Sequence, residues 1–173
     1  MKIKAHLFEF LILIFVVGFT TCKKEENLPT SVKGNIVINE LLPKNTMHGA
    51  DQDGQFDDWI ELYNLSGENL DISGYYLTDS KKELTKWKFP EGTTIGKSGY
   101  LIVWADKDTT QTGLHTNFKL SSGGETVVFL TPAQEVIDEV KFPADSLELS
   151  YARIPNGTGS FVKSTPTFNA ENK

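Results

Sequence analysis

The stretch Asp58-Trp59-Ile60-Glu61-Leu62-Tyr63-Asn64 decides the fold class of this chain. Ile60 and Leu62 fall on one face of an extended segment, and Glu61 falls on the opposite face together with the two aromatic residues. Alternation with a period of two residues, in a segment rich in aromatic side chains, predicts a β-strand. Turn-forming residues follow at 66–69, so we expect the strand to end in a tight turn.

Strand patterns continue on both sides of this stretch. Upstream, residues 36–42 predict a strand that Pro43 ends, because proline cannot donate to a ladder. Downstream, further strands are predicted at 75–78, 87–89, 100–105, 126–131, 136–142 and 149–153. Glycine-rich turns separate them, and no stretch beyond residue 34 shows sustained helical periodicity. About seven to nine short strands with frequent turns predict an all-β, immunoglobulin-like antiparallel β-sandwich over residues 35–173, as one domain.

Several of these segments resemble the lamin tail domain family. The resembling motifs, in order, are residues 37–40, 58–64, 70–79, 87–90, 99–105, 117–121 with 124–125, 150–157 and 165–169. The resemblance covers about residues 35–170, and Thr167 stands where the family usually has a glycine after the proline. It implies a sandwich that serves as a binding or structural module rather than an enzyme, in a bacterial lipoprotein form as found in Bacteroidetes.

The N-terminus has the pattern of a signal peptide. Lys2 and Lys4 precede an apolar run at 11–19, and Cys22 follows two small residues later. The run is too short to span a bilayer, which takes about 20 apolar residues. The position of Cys22 resembles the lipobox of bacterial lipoproteins, in which the cysteine becomes a lipidated N-terminus. We therefore predict a cleaved signal peptide at 1–21, a lipidated tether at 22–34 and the sandwich domain behind it.

The lipid on Cys22 would hold the protein in the bacterial cell envelope. The expected site is the outer membrane, and the charged run 23–26 resembles an export signal to the cell surface. Because residues 1–21 carry two lysines and one glutamate, the net charge of the rest is −7 rather than −6. An acidic domain repels phosphate backbones, so we predict no nucleic-acid partner. The expected partners are the membrane and an envelope protein or glycan.

Glu40 and Glu61 are the candidate functional carboxylates. Strict alternation along the first strand places Glu40 on the face of Ile36 and Ile38, which should be buried. A buried carboxylate needs a partner, and Arg153 is the predicted one, with backbone donors as the alternative. Two glutamates on adjacent strands could also serve an acid–base hydrolase, whose carboxyls lie about 5–5.5 Å apart in the retaining class. We favour the structural interpretation and predict no enzymatic activity.

Residues 51–58 resemble the first half of a calcium loop. Asp51, Asp53 and Asp57 offer hard oxygen ligands around Gly54, which permits a sharp turn. The alternative is an Asp/Gly-rich turn whose side chains bond local backbone. Calcium is the single cofactor that the sequence suggests.

The aromatic residues and the histidines are the remaining candidates for a binding or catalytic site. The three tryptophans and five tyrosines predict a packed core, or alternatively a carbohydrate-binding module with exposed rings that calcium stabilises. His48 and His115 are the only histidines beyond the signal peptide, and both are expected at the surface. With no Gly-x-Ser-x-Gly motif, nothing in the sequence indicates a hydrolytic triad.

Overall fold

The computed structural model describes residues 32–144 and 148–173, and its regular elements are all β-strands. Cys22 and the predicted signal peptide lie outside the described residues. Within those two ranges no helix is long and apolar enough to span a bilayer. The strands are β1 Ile36–Leu42, β2 Trp59–Asn64, β3 Leu70–Asp71, β4 Tyr76–Thr78, β5 Trp87–Lys88, β6 Thr94–Ile95, β7 Tyr100–Trp104, β8 Gly124–Leu130, β9 Val136–Pro143, β10 Ser150–Ile154 and β11 Ser160–Ser164.

Two main sheets enclose the core. One has five strands in the order β11-β10-β1-β2-β7 and the other has four in the order β5-β4-β8-β9, while β3 and β6 form a small ribbon. All these strand pairs are antiparallel. Ile38 and Leu62 from the first sheet pack in one apolar cluster with Val127, Phe129 and Val140 from the second. The predicted all-β antiparallel sandwich is confirmed.

A β-bulge at Asn39 overturns one prediction about β1. Ile38 pairs with Leu62 and Glu40 pairs with Glu61, so Asn39 is an extra residue without a cross-strand partner. One added residue reverses the alternation that follows it. Strict alternation predicted that Glu40 shares the face of Ile36 and Ile38, and this prediction was wrong. Glu40 lies on the outer face of the five-stranded sheet, which is the face turned away from the four-stranded sheet.

Residues 165–173, the C-terminal segment, cover this outer face. The Phe168 ring packs against Trp59 at 5.5 Å and against Trp104 at 5.7 Å between ring centroids. Gly49, with φ of +81°, lies directly against the Phe168 ring, which occupies the space that a β-carbon at Gly49 would need. The five-stranded sheet is thus covered on both faces in this region, and Trp59 and Trp104 are buried.

Candidate functional site

Glu40 and Glu61 lie next to each other on the outer face as cross-strand partners. Both residues are 0% exposed. Two buried carboxylates are costly unless each is hydrogen-bonded, and the C-terminal segment supplies donors. The Thr167 hydroxyl donates to Glu40 Oε2 at 2.6 Å and its backbone N–H donates to Oε1 at 3.2 Å. The Asn169 N–H donates to Glu61 Oε2 at 2.7 Å. The segment therefore binds the sheet through the two carboxylates.

The bulge residue Asn39 completes this hydrogen-bond network. Its Nδ2 donates to Glu61 Oε1 at 2.8 Å, and its Oδ1 accepts the Gly157 N–H at 2.8 Å. The Asn172 side chain donates to the Asn39 carbonyl at 3.1 Å. The inserted residue thus joins the sheet to two distant segments of the chain.

Burial raises the pKa of both carboxyl groups. The pKa of Glu61 rises from its ordinary value of 4.5 to about 7, because burial disfavours the charged form and because Glu40 adds a like charge, while the Asn39 bond opposes the rise. Burial also raises the pKa of Glu40, against the bonds from Ser150 and Thr167. A carboxyl group whose pKa is higher in the folded state stabilises the fold below about pH 4.5. That contribution is lost as the pH rises to about 7.

Arg153 does not join the two glutamates, contrary to the predicted ion pair. Its guanidinium donates to both carboxylate oxygens of Asp138 at 3.0 Å and to the Ile38 carbonyl at 2.9 Å. The reason is the strand register: Ala152 lies opposite Glu40, so the next residue, Arg153, points to the other face of the sheet. The Arg153–Asp138 pair links β10 to β9 of the facing sheet.

The loop between β1 and β2 does not bring the three predicted calcium ligands together. Asp51 Oδ1 accepts the N–H groups of Asp53 at 2.9 Å and Gln55 at 2.7 Å. These bonds to local backbone are the ones expected of an Asp/Gly-rich turn, the alternative to a calcium loop. Among the described residues, the acidic and histidine side chains whose ligand atoms converge are Asp51, Asp106 and His115. Asp53 and Asp57 are not part of that group, and calcium binding stays a prediction.

His115 is buried, so the prediction of a surface position was wrong for this residue. Its segment is paired with the end of β7, since the Trp104 N–H donates to the Leu114 carbonyl and the Thr116 N–H donates to the Trp104 carbonyl, both at 2.8 Å. The sequence carried one signal for this cluster. Asp106 is the first residue after the predicted strand at 100–105, and a carboxylate at the end of a strand is a candidate site residue.

A groove of about 370 Å³ lies beside β7, an edge strand of the five-stranded sheet. Its lining includes Tyr100, Ile102 and Trp104 from β7, Gln52 and Leu114 from loops, and Phe168. The three tryptophans are buried, as the predicted packed core requires, and not exposed as the alternative of a sugar-binding surface requires. Tyr100 is half-buried beside the groove and packs on Tyr63 at 4.8 Å between ring centroids. The lining thus combines apolar surface with a phenol and an amide.

The family model of the Lamin Tail Domain matches residues 29–144, which include β1 to β9. β10, β11 and the C-terminal segment lie beyond the matched range. No curated protein matches the chain.

Proposed function

Because the chain belongs to the lamin tail domain family, whose domains are immunoglobulin-like and non-catalytic, we propose that it is a non-catalytic binding or structural module of the bacterial cell envelope. The observation that carries this proposal is the cover over Glu40 and Glu61. Both carboxylates are fully buried and are bonded to the C-terminal segment. A general acid or base must reach hydrogen-bond distance of its substrate, and neither carboxylate is open to one.

The second part of the proposal is a lipid anchor on Cys22. Its support is the sequence: a basic start, a short apolar run and a lone cysteine directly behind it. Two or more acyl chains give stable membrane attachment, at about 0.8 kcal/mol per buried methylene. The domain would then be held at the outer membrane, facing the cell surface.

We expect Cys22→Ala to release the protein from membranes, because the acyl chains can be attached only at that cysteine. The measurement is fractionation of cells that express the full chain, with metabolic labelling by a clickable palmitate analogue. The matched control is Thr21→Ala, which keeps the cysteine and a small residue before it, and this variant should stay labelled and membrane-bound. Retention of Cys22→Ala in the membrane fraction would contradict the anchor.

The third part is the binding surface, which we assign to the groove beside β7. The detergent-solubilised full chain should capture an envelope protein or glycan from native envelope extract. Gln52→Arg should abolish capture, because Gln52 is exposed and lines the groove. Gln55→Arg changes another exposed glutamine of the same loop; it is the control and should capture normally.

Equal capture by both variants, or none by the wild type, would overturn the groove assignment. A glycan-array signal without a captured protein would favour the second candidate, a carbohydrate-binding module. The groove supports that candidate because the Tyr100 ring and the Gln52 amide offer a stacking surface and hydrogen-bonding groups at the same place.

A further inference from the structure

The cluster of Asp51, Asp106 and His115 lies where three segments of the chain meet. Asp51 comes from the β1–β2 loop, Asp106 lies two residues beyond β7, and His115 lies on the short bridge beside Trp104. The three residues are 9%, 7% and 3% exposed. One ligand atom from each lies within 4.8 Å of the other two. Neither the carboxylate pair nor the groove explains why these groups are buried together.

One oxygen of each aspartate is already held by its own loop. Asp51 Oδ1 accepts two backbone N–H groups, and Asp106 Oδ1 accepts the Asp108 N–H at 2.9 Å. These bonds fix the orientation of both carboxylates and leave the second oxygen of each free of local backbone. Carboxylates that ligate a metal are held in this way by their surroundings.

The second oxygen of Asp51 has no hydrogen-bond partner although it is buried. A buried carboxylate oxygen without a donor is costly and rare. Asp51 supplies one carboxylate oxygen to the group that converges with Asp106 and His115, so the unpartnered atom belongs to a carboxylate of that cluster. A positive group at this point would satisfy it.

The ring of His115 faces acceptors on both sides. Its Nδ1 lies 2.6 Å from Asp106 Oδ2, and its Nε2 lies 3.2 Å from the Thr112 carbonyl. A neutral imidazole has only one N–H, so one contact needs either a second proton or a cation. A second proton would satisfy Asp106 but would leave Asp51 Oδ2 without a partner. A metal ion at Nδ1 satisfies both carboxylates, and Nε2–H then donates to the Thr112 carbonyl.

We propose that Asp51, Asp106 and His115 bind one divalent transition-metal ion of the zinc class. Calcium and magnesium prefer oxygen ligands alone, whereas an imidazole with carboxylates suits zinc and its neighbours. Zinc ligands at about 2.0–2.1 Å stand about 3.3 Å apart in a tetrahedron, so Nδ1 and Oδ2 need to separate by only about 0.7 Å. Three protein ligands leave a fourth position for water. This site does not depend on the proposed function.

Metal binding can be measured on the detergent-solubilised full chain after chelator treatment. Titration with zinc chloride should give one ion per chain, and at a hundred times the dissociation constant the Tm should rise by about 5–10 °C. Cobalt(II) should give visible absorption of a four-coordinate site, which zinc displaces. Calcium chloride is the comparison and should leave the Tm unchanged.

Asp51→Asn and Asp106→Asn should each weaken zinc binding by at least about 100-fold. The matched control is Asp53→Asn, which alters an exposed carboxylate of the same loop and should bind zinc normally. Should Asp106→Asn fail to fold, Asp51→Asn decides the matter, since it keeps the oxygen that accepts the loop amides. The proposal is overturned by absence of zinc and cobalt binding, by stabilisation with calcium alone, or by equal zinc affinity in Asp51→Asn and the wild type.

Discussion

Deletion of residues 165–173 is expected to lower the free energy of unfolding by about 4 kcal/mol. The half-buried Phe168 ring accounts for about 2 kcal/mol, somewhat less than the 3–5 kcal/mol of a fully buried phenylalanine. The bonds from Thr167 and Asn169 to the two carboxylates account for the remainder, because charge-assisted bonds contribute about 1.5–3 kcal/mol each and water replaces part of this. Urea denaturation of the solubilised full chain, with and without the deletion, measures the change.

The pH dependence of stability gives this prediction a second readout. In the intact protein Glu61 should lower the free energy of unfolding by about 3 kcal/mol between pH 4.5 and 7, since the folded state holds the Glu61 proton more tightly than the unfolded state. The deletion exposes Glu61 to water, so its pKa should return towards 4.5 and the pH dependence should weaken. Burial also raises the pKa of Asp58 to about 6, and the contribution of Asp58 should remain. Phe168→Ala is the control, because it removes the ring and keeps the backbone donors. A pH dependence that is unchanged by the deletion would mean that the segment does not bury the carboxylates.

Arg153→Met is expected to lower the free energy of unfolding by about 3 kcal/mol. The change leaves the mostly buried Asp138 carboxylate without its cation and removes the donor to the Ile38 carbonyl. Loss of one partner of a buried ion pair costs about 3–5 kcal/mol, and residual exposure places this pair at the lower end. Chemical denaturation of Arg153→Met, Asp138→Asn and the double variant measures the coupling between the two residues.

The control for this prediction is Lys81→Met, which breaks the exposed ion pair of Lys81 with Glu139, the neighbour of Asp138. Exposed pairs contribute about 0–1 kcal/mol, so this change should be nearly neutral. An Arg153→Met effect as small as that of Lys81→Met would show that the Ile38 and Glu139 N–H groups, which also donate to Asp138, satisfy its carboxylate without Arg153.

The sandwich could be predicted because its strands obey local rules. Alternation in β2 and the proline after β1 mark two central strands, and the observed bounds of β1 match those expected from the sequence. The two-residue strands β3 and β6 were missed, whereas β5, which is equally short, was predicted because Trp87 and Phe89 alternate around Lys88. β11 was missed because its apolar residues, Phe161 and Val162, are adjacent rather than alternating.

The candidate sites were predictable only in part, because they depend on contacts between distant residues. The two glutamates could be placed on adjacent strands, but alternation assumes a constant period and cannot locate the bulge at Asn39. Nothing local in Thr167 or Asn169 indicates that their backbones lie against carboxylates more than a hundred residues earlier. The same holds for His115, whose burial follows from pairing beside the end of β7.

The position of β1 in the middle of the five-stranded sheet has a consequence for the timing of folding. Glu40 of β1 pairs with Ala152 of β10, and the outer face is completed by residues that follow every strand in the chain. Pairings between such distant residues form slowly, in milliseconds to seconds for β-sandwiches. A chain that crosses a membrane from its N-terminus would therefore remain unfolded until its last residues emerge. For a chain exported as the predicted signal peptide implies, the topology that protects the buried carboxylates would also keep it in a form that an export channel can pass.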